Sequence, residues 1–209
     1  MPLGLGVLLS GGGTTLQNII DRIERGELDA EVHCVISSQC DAYGMVRARN
    51  HGVPAAAIVR KEYPNAAAFR EAVWTEVRRY PVDLVVLAGY MCLIDVPPDF
   101  ANRIINVHPA LIPAFCGKGM YGHHVHEAVL AYGAKISGAT VHFVDSEFDH
   151  GPIIIQESVP VLEDDTPDTL AERVQAKERE IYPRAISWFA EGRIKVEDGK
   201  ARIRLKAEG

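Results

Sequence analysis

The chain has 209 residues, a formal net charge of -6 at pH 7 and a hydrophobic content of 47%. That length suits one domain with a sizeable core and argues against two. The acidic balance excludes a protein built to hold nucleic acid, which needs clustered Lys and Arg, although a compact basic pocket for one phosphate stays open.

No apolar run approaches the roughly 20 residues that cross a bilayer, and MPLGLGVLLS lacks the basic start and small-residue cleavage site of a signal peptide. A soluble, cytoplasmic protein with no membrane partner is expected. Cys34, Cys40, Cys92 and Cys116 show neither C-x-x-C spacing nor the density of a disulfide scaffold, and are read as reduced thiols with no zinc site.

In chain order, LGLGVLL, AEVHCVIS, AAAIV, DLVVLAG and RIINV are short, apolar and β-branched, as strands buried on both faces are. TTLQNIIDRIERG, AYGMVRARNHG and PNAAAFREAVWTEVRRY lie between them with helical spacing. Alternation of this kind means βαβ units with right-handed crossovers, so the expected fold is α/β: a three-layer sandwich around a mostly parallel, Rossmann-like sheet. After Gly133, SGATVHFVD and PIIIQESVPV follow each other with no helix between, which predicts an antiparallel strand in the C-terminal half. Thr166 can cap a long helix with Pro167 at its first position, running to about Gly192 with a bend near Pro183. RIKVEDGKARIRL, with its D-G turn, predicts a terminal hairpin.

Four places ask for a chemical explanation. The first is LLSGGGTTLQNII, a glycine-rich turn leading from strand to helix. Its backbone N–H groups can approach an anion at the helix N-terminus. It is not G-x-G-x-x-G, since Leu16 takes the last glycine position, and no Gly-Lys-Ser/Thr follows. One phosphate on Gly13, Thr14 and Thr15 fits better than a dinucleotide; the plain alternative is a tight turn with Thr14 as N-cap.

The second is IINVHPALIP. Ligands of open α/β sheets gather beyond the carboxyl ends of strands, where Asn106 and His108 stand. Asn offers a donor for an oxyanion, His can move a proton near neutral pH, and a spacing of two puts both on one side of an extended strand. A histidine satisfied by a backbone carbonyl in a proline-rich turn is the competing reading. Asp149, in SEFDHGP, is the candidate partner that would hold the ring and favour its charged form, although an Asp before His-Gly-Pro is also a common turn residue. His142, which shares a strand face with Thr140, is either a support for this group or a satisfied core histidine.

The third is LAERVQAKEREIYP, where Glu178 falls within the apolar stripe of Leu170, Val174, Ile181 and Ala185. A carboxylate there needs a partner: a ligand's amine or hydroxyls, with Gln175 one turn earlier, or a cation such as Arg173. The fourth, GHHVHEAV, carries His123 and His126 one turn apart but no H-E-x-x-H, and reads as a helix start with surface histidines and no metal.

In their order, SGGGTTLQNII, DLVVLAGYMCLI, INVHPALIP, SGATVHFVDSEFDHGPIIIQ and RVQAKEREIYP resemble phosphoribosylglycinamide formyltransferase of purine biosynthesis, from the first strand to about Gly192. The resemblance implies one formyltransferase domain over 1–209, made of a phosphate-binding βαβ half (1–105), a catalytic and folate-binding half (106–192) and a C-terminal hairpin (193–209). It implies two small-molecule substrates, glycinamide ribonucleotide as amine acceptor and 10-formyltetrahydrofolate as formyl donor and co-substrate, with no metal. A homodimer is compatible with it.

By the same resemblance Asn106, His108 and Asp149 are catalytic. Gly13, Thr14 and Thr15 hold the phosphate, Gln175 and Glu178 meet the glycinamide and ribose end, and Thr140 and His142 stand behind the site. Met91, Cys92, Leu93 and Ile94, with Asp145, Ser146, Glu147, Phe148, Asp149 and Asn106, hold the folate.

Three departures stand out. The family's phosphate turn commonly has Asn where Gly12 and Thr15 stand. An arginine near the folate's glutamate tail is replaced by Ala66, for which Arg60 or Arg70 would have to substitute. The loop FCGKGMYGHH, with Lys118, is longer than in many relatives. Methionyl-tRNA formyltransferase and formyltetrahydrofolate deformylase share this Asn, His and Asp, but typically add an RNA-binding or a regulatory domain that this chain is not expected to have. A folate- or nucleotide-binding module without turnover is the remaining alternative.

Overall fold

The computed structural model describes residues 1–204, so positions 205–209 of the expected hairpin segment lie outside the described residues. Among the described residues, nine strands and five α-helices follow one another as β1 (Leu3–Leu9), α1 (Thr14–Glu24), β2 (Ala30–Ser37), α2 (Tyr43–Asn50), β3 (Ala55–Ala57), α3 (Ala66–Val77), β4 (Leu84–Leu87), β5 (Ile104–His108), α4 (His123–Tyr132), β6 (Ile136–Phe143), β7 (Ile153–Pro160), α5 (Pro167–Ala190), β8 (Ile194–Glu197) and β9 (Lys200–Ile203). The seven-stranded sheet has the order β3-β2-β1-β4-β5-β6-β7, and β8 pairs with β9 in a separate two-stranded sheet. Among the described residues, no helix is long and apolar enough to cross a membrane.

The chain forms two compact units that meet in sequence between Ile105 and Asn106. In the first, β1 pairs in parallel with both β2 and β4, and β2 with β3. The runs that form β1, β2 and β4 are buried almost without interruption, with Leu5, Leu8, Val35 and Val86 fully enclosed, whereas β3 at the edge is not. This is the pattern expected of parallel strands covered on both faces. Asn65 starts α3 by accepting from the Ala68 N–H at 2.8 Å, which satisfies one of the helix's free donors. AAAIV is a shorter strand than expected: after Ala57 the Ile58 N–H still reaches the Ser37 carbonyl at 2.8 Å, and the chain then turns into a 3-10 segment at Arg60–Glu62.

In the second unit β6 and β7 are antiparallel, as their succession without a helix predicts. Thr166 caps α5 in a capping box with Thr169, Pro167 takes the first helical position, and Pro183 lies inside the helix, which continues to Ala190. Leu170, Val174, Ile181, Ala185 and Ile186 form the buried face of α5. The β8–β9 hairpin turns on Asp198 and Gly199, both at positive φ, as a two-residue turn between twisted strands requires.

Candidate functional site

The glycine turn leaves the carboxyl end of β1. Gly13, not Thr14, is the N-cap of α1, at φ 71°, a left-handed conformation that no β-carbon tolerates well. A β-carbon there would also stand 2.5 Å from the Gly44 Cα, so the turn and α2 are in backbone contact. Thr14 and Thr15 are the first residues of α1, and their N–H groups belong to the set that a helix start leaves free. Ser10 joins this turn to the next loop of the same unit: its hydroxyl meets that of Ser38 at 2.6 Å and accepts from the Met91 N–H at 2.9 Å. Of the expected folate residues in that loop, Met91 and Leu93 are exposed, Cys92 is half-buried, and Ile94 is buried in the core. Arg70 is committed to Asp95, whereas Arg60 carries its charge close to Cys92.

In the second unit β5 extends through His108, so Asn106 and His108 both belong to the strand and share a face. His108 is buried, and both ring nitrogens face acceptors: Nδ1 stands 3.5 Å from Asp149 Oδ2, and Nε2 lies 2.8 Å from the Phe115 carbonyl. An imidazolium, with two N–H donors, satisfies both. Asp149 Oδ2 also accepts from the Gly117 N–H at 2.9 Å. Phe115 and Asp149, the residues that flank His108, are non-glycine residues at φ 51° and 53°. Strain of this kind persists where the surroundings over-determine a site.

The Asn106 amide is aimed by the same cluster. His142 is buried and its Nδ1 donates to the Phe143 carbonyl at 2.8 Å, which leaves Nε2 as the acceptor for Asn106 Nδ2 at 3.2 Å. Burial holds the His142 pKa below its ordinary value, in keeping with a neutral ring. The second Asn106 hydrogen has a long contact, 3.4 Å, to Asp149 Oδ1. So weak a bond is easily exchanged for a better acceptor. Behind the strand, Thr140 donates to the Ala110 carbonyl at 2.6 Å and accepts from the Ile112 N–H at 3.2 Å, fixing the segment that follows His108. Gln156, across the β6–β7 pair, adds bonds to Thr140 and to the Ile112 carbonyl.

Two readings change. His126 is not a surface histidine: it is 2% exposed, its Nδ1 has no hydrogen-bond partner among the described residues, and burial lowers its pKa, with smaller contributions from His123 and His108. Of the histidines in that run, His123 and His124 are exposed. Arg173 is not the partner of Glu178, because both its terminal nitrogens bond Asp165, at 2.7 and 2.8 Å. In the Asp145–Asp149 loop Ser146, Glu147 and Phe148 are exposed, and Asp145 accepts from the Glu147 N–H and holds His150.

Loss of hydration pushes the Glu178 carboxyl up to about 7, against a smaller pull from Arg179. A carboxyl whose folded pKa exceeds its unfolded one subtracts stability as pH rises from the unfolded value through the folded value. Glu178→Gln is therefore expected to raise the melting temperature near pH 8 and to leave it unchanged near pH 4, as read by thermal denaturation in both buffers. An unchanged or lower melting temperature near pH 8 contradicts this account of Glu178.

A family model described as formyl transferase matches residues 5–186. Phosphoribosylglycinamide formyltransferase of Haemophilus influenzae is 38% identical over 205 residues, which cover 97% of this chain and 94% of that protein. The chain belongs to the phosphoribosylglycinamide formyltransferase family. Glycinamide ribonucleotide transformylase 1 of Symbiobacterium toebii, a member of known structure, superposes with a TM-score of 0.91 at 45% identity, covering 98% of this chain and 95% of that one. A formyltetrahydrofolate deformylase from Pseudomonas syringae superposes with a TM-score of 0.86 at 26% identity, covering 98% of this chain but 67% of its own. The chain thus shares its fold with a protein named as a formyltetrahydrofolate deformylase.

Proposed function

We propose that the chain transfers the formyl group of 10-formyltetrahydrofolate to the amine of glycinamide ribonucleotide, as one formyltransferase domain. The observation that carries this reading is the cluster of Asn106, His108 and Asp149, with both His108 nitrogens facing oxygen acceptors, in a chain of this family. The attacking amine forms a bond to the formyl carbon, and the carbonyl oxygen becomes an oxyanion. Asn106 and protonated His108 stabilise that oxyanion as Asn106 exchanges its long contact to Asp149, and His108 its bond to the Phe115 carbonyl, for the developing charge. Asp149 keeps the His108 ring in place and helps a proton pass from the attacking nitrogen, through water, to the folate nitrogen as its bond to carbon breaks.

The free N–H groups from Gly13 to Thr15 suit the phosphate of the ribonucleotide. Gln175, exposed on α5, and Glu178 suit its amine and ribose hydroxyls. Met91 to Ile94 and Asp145 to Asp149 offer the folate backbone bonds and apolar walls, and Arg60 is the better candidate for its glutamate tail because Arg70 is already paired. Glu178→Gln should chiefly raise KM for the ribonucleotide, about tenfold, as loss of a charged hydrogen bond made equally in ground and transition states does. An effect on the folate KM alone would move Glu178 out of the ribonucleotide site.

The test of the function is the absorbance change of the folate on deformylation, followed with and without glycinamide ribonucleotide. Turnover only with the acceptor supports formyl transfer. Turnover without it identifies a deformylase, and none in either case a binding module.

A further inference from the structure

One cation beside the glycine turn has no part in the scheme above. Arg47, half-buried on α2, donates from Nε to the Gly12 carbonyl at 2.9 Å and from a terminal nitrogen to Gln17 Oε1 at 3.1 Å, and its guanidinium stands 5.1 Å over the Tyr43 ring. Gln17 is itself fixed, donating to Asp21 at 2.7 Å and meeting His51 Nε2 at 3.0 Å. The neighbouring carbonyls are held too: that of Gly11 accepts from the Gly44 N–H at 3.0 Å, and that of Gly13 from the Gln17 N–H at 2.9 Å.

A trans peptide is planar, with its C=O and N–H pointing in opposite directions. Holding the carbonyls of Gly11 and Gly12 toward α2 therefore turns the N–H groups of Gly12 and Gly13 away from it, and holding that of Gly13 toward the Gln17 N–H turns the Thr14 N–H away from the body of α1. The Gly12 and Gly13 N–H groups donate to no backbone carbonyl among the described residues. Of these three peptide planes, that between Gly12 and Gly13 depends on a side chain. Only a forked guanidinium serves Gly12 and Gln17 together; a lysine ammonium is a point charge on a flexible stem.

We propose that Arg47 is a positioning residue that aims the Gly13 N–H at the ribonucleotide phosphate by holding the Gly12 carbonyl, an inference that rests on the glycine turn being the phosphate site. Both Arg47→Lys, which keeps the charge, and Arg47→Gln, which keeps a donor, should raise KM for the ribonucleotide about five- to tenfold, with the folate KM within about twofold of wild type. Melting temperatures should stay close to wild type. In the intact protein, inorganic phosphate should shift the amide resonances of Gly12, Gly13 and Thr14, and the Gly13 response should be lost in both variants.

Arg47→Lys with a wild-type KM overturns the proposal, because charge alone then suffices. Equal rises in both KM values with a lower melting temperature also overturn it, reducing Arg47 to a tie between α1 and α2. Phosphate shifts on the turn of a wild-type protein that does not formylate the ribonucleotide leave the aiming role standing and remove the proposed function. No shift on the wild-type turn overturns the aiming role, whether or not the protein turns over.

Discussion

Asp149→Asn is expected to lower kcat about 100-fold or more while the protein stays folded, and His108→Ala to do the same, in line with the loss of acid and base work. The carboxylate of Asp149 faces three groups: His108 Nδ1 at 3.5 Å, the Gly117 N–H at 2.9 Å and Asn106 Nδ2 at 3.4 Å. An ionised carboxylate only accepts, so it meets all three. An asparagine must turn its own N–H₂ toward one of these groups, and it removes the negative charge that stabilises an imidazolium. The two residues act as one unit, so the double variant should be little worse than either single one. Steady-state kinetics on the three variants, with circular dichroism for folding, checks this. Wild-type-like turnover by either single variant contradicts the mechanism, and multiplicative losses contradict the coupling.

Asn106→Ala should cost about 100- to 1000-fold in kcat, the range seen when one oxyanion donor is removed. His142 orients the amide from behind, and the remaining N–H has only the long contact to Asp149. That hydrogen can therefore move to a developing oxyanion without breaking a strong bond. Because the interaction strengthens in the transition state, KM for both substrates should change little. A variant that keeps kcat and raises the folate KM would make Asn106 a folate-binding residue and leave the oxyanion to His108.

The fold is largely legible in the sequence because its strands announce themselves as apolar runs: AEVHCVIS is β2 residue for residue. Boundaries failed where local and tertiary preferences diverge. The β-branched residues of AAAIV carry strand propensity, yet Ile58 and Val59 are buried beyond the end of β3. In the site, Asn106 and His108 stand out because polar residues interrupt a buried run, whereas Asp149 looks like a turn residue until its partner is known.

The groups that complete the cluster carry little signal. The Phe115 carbonyl and Gly117 N–H are backbone atoms that any sequence supplies, and Arg47 looks like one more cation on a helix. His126 was masked by polar neighbours, since HHVHE has no apolar stripe to mark which histidine turns inward. Gln156 had a usable signal: it is the polar residue in PIIIQESVPV opposite Thr140 in the antiparallel register.

The most direct test is a stoichiometric one, in which the wild-type protein is mixed with 10-formyltetrahydrofolate and glycinamide ribonucleotide and all products are quantified by mass spectrometry. Formylated ribonucleotide and tetrahydrofolate should appear in equal amounts, with no free formate and no reaction when the ribonucleotide is left out. Free formate matching the tetrahydrofolate, with the ribonucleotide unchanged, would contradict formyl transfer.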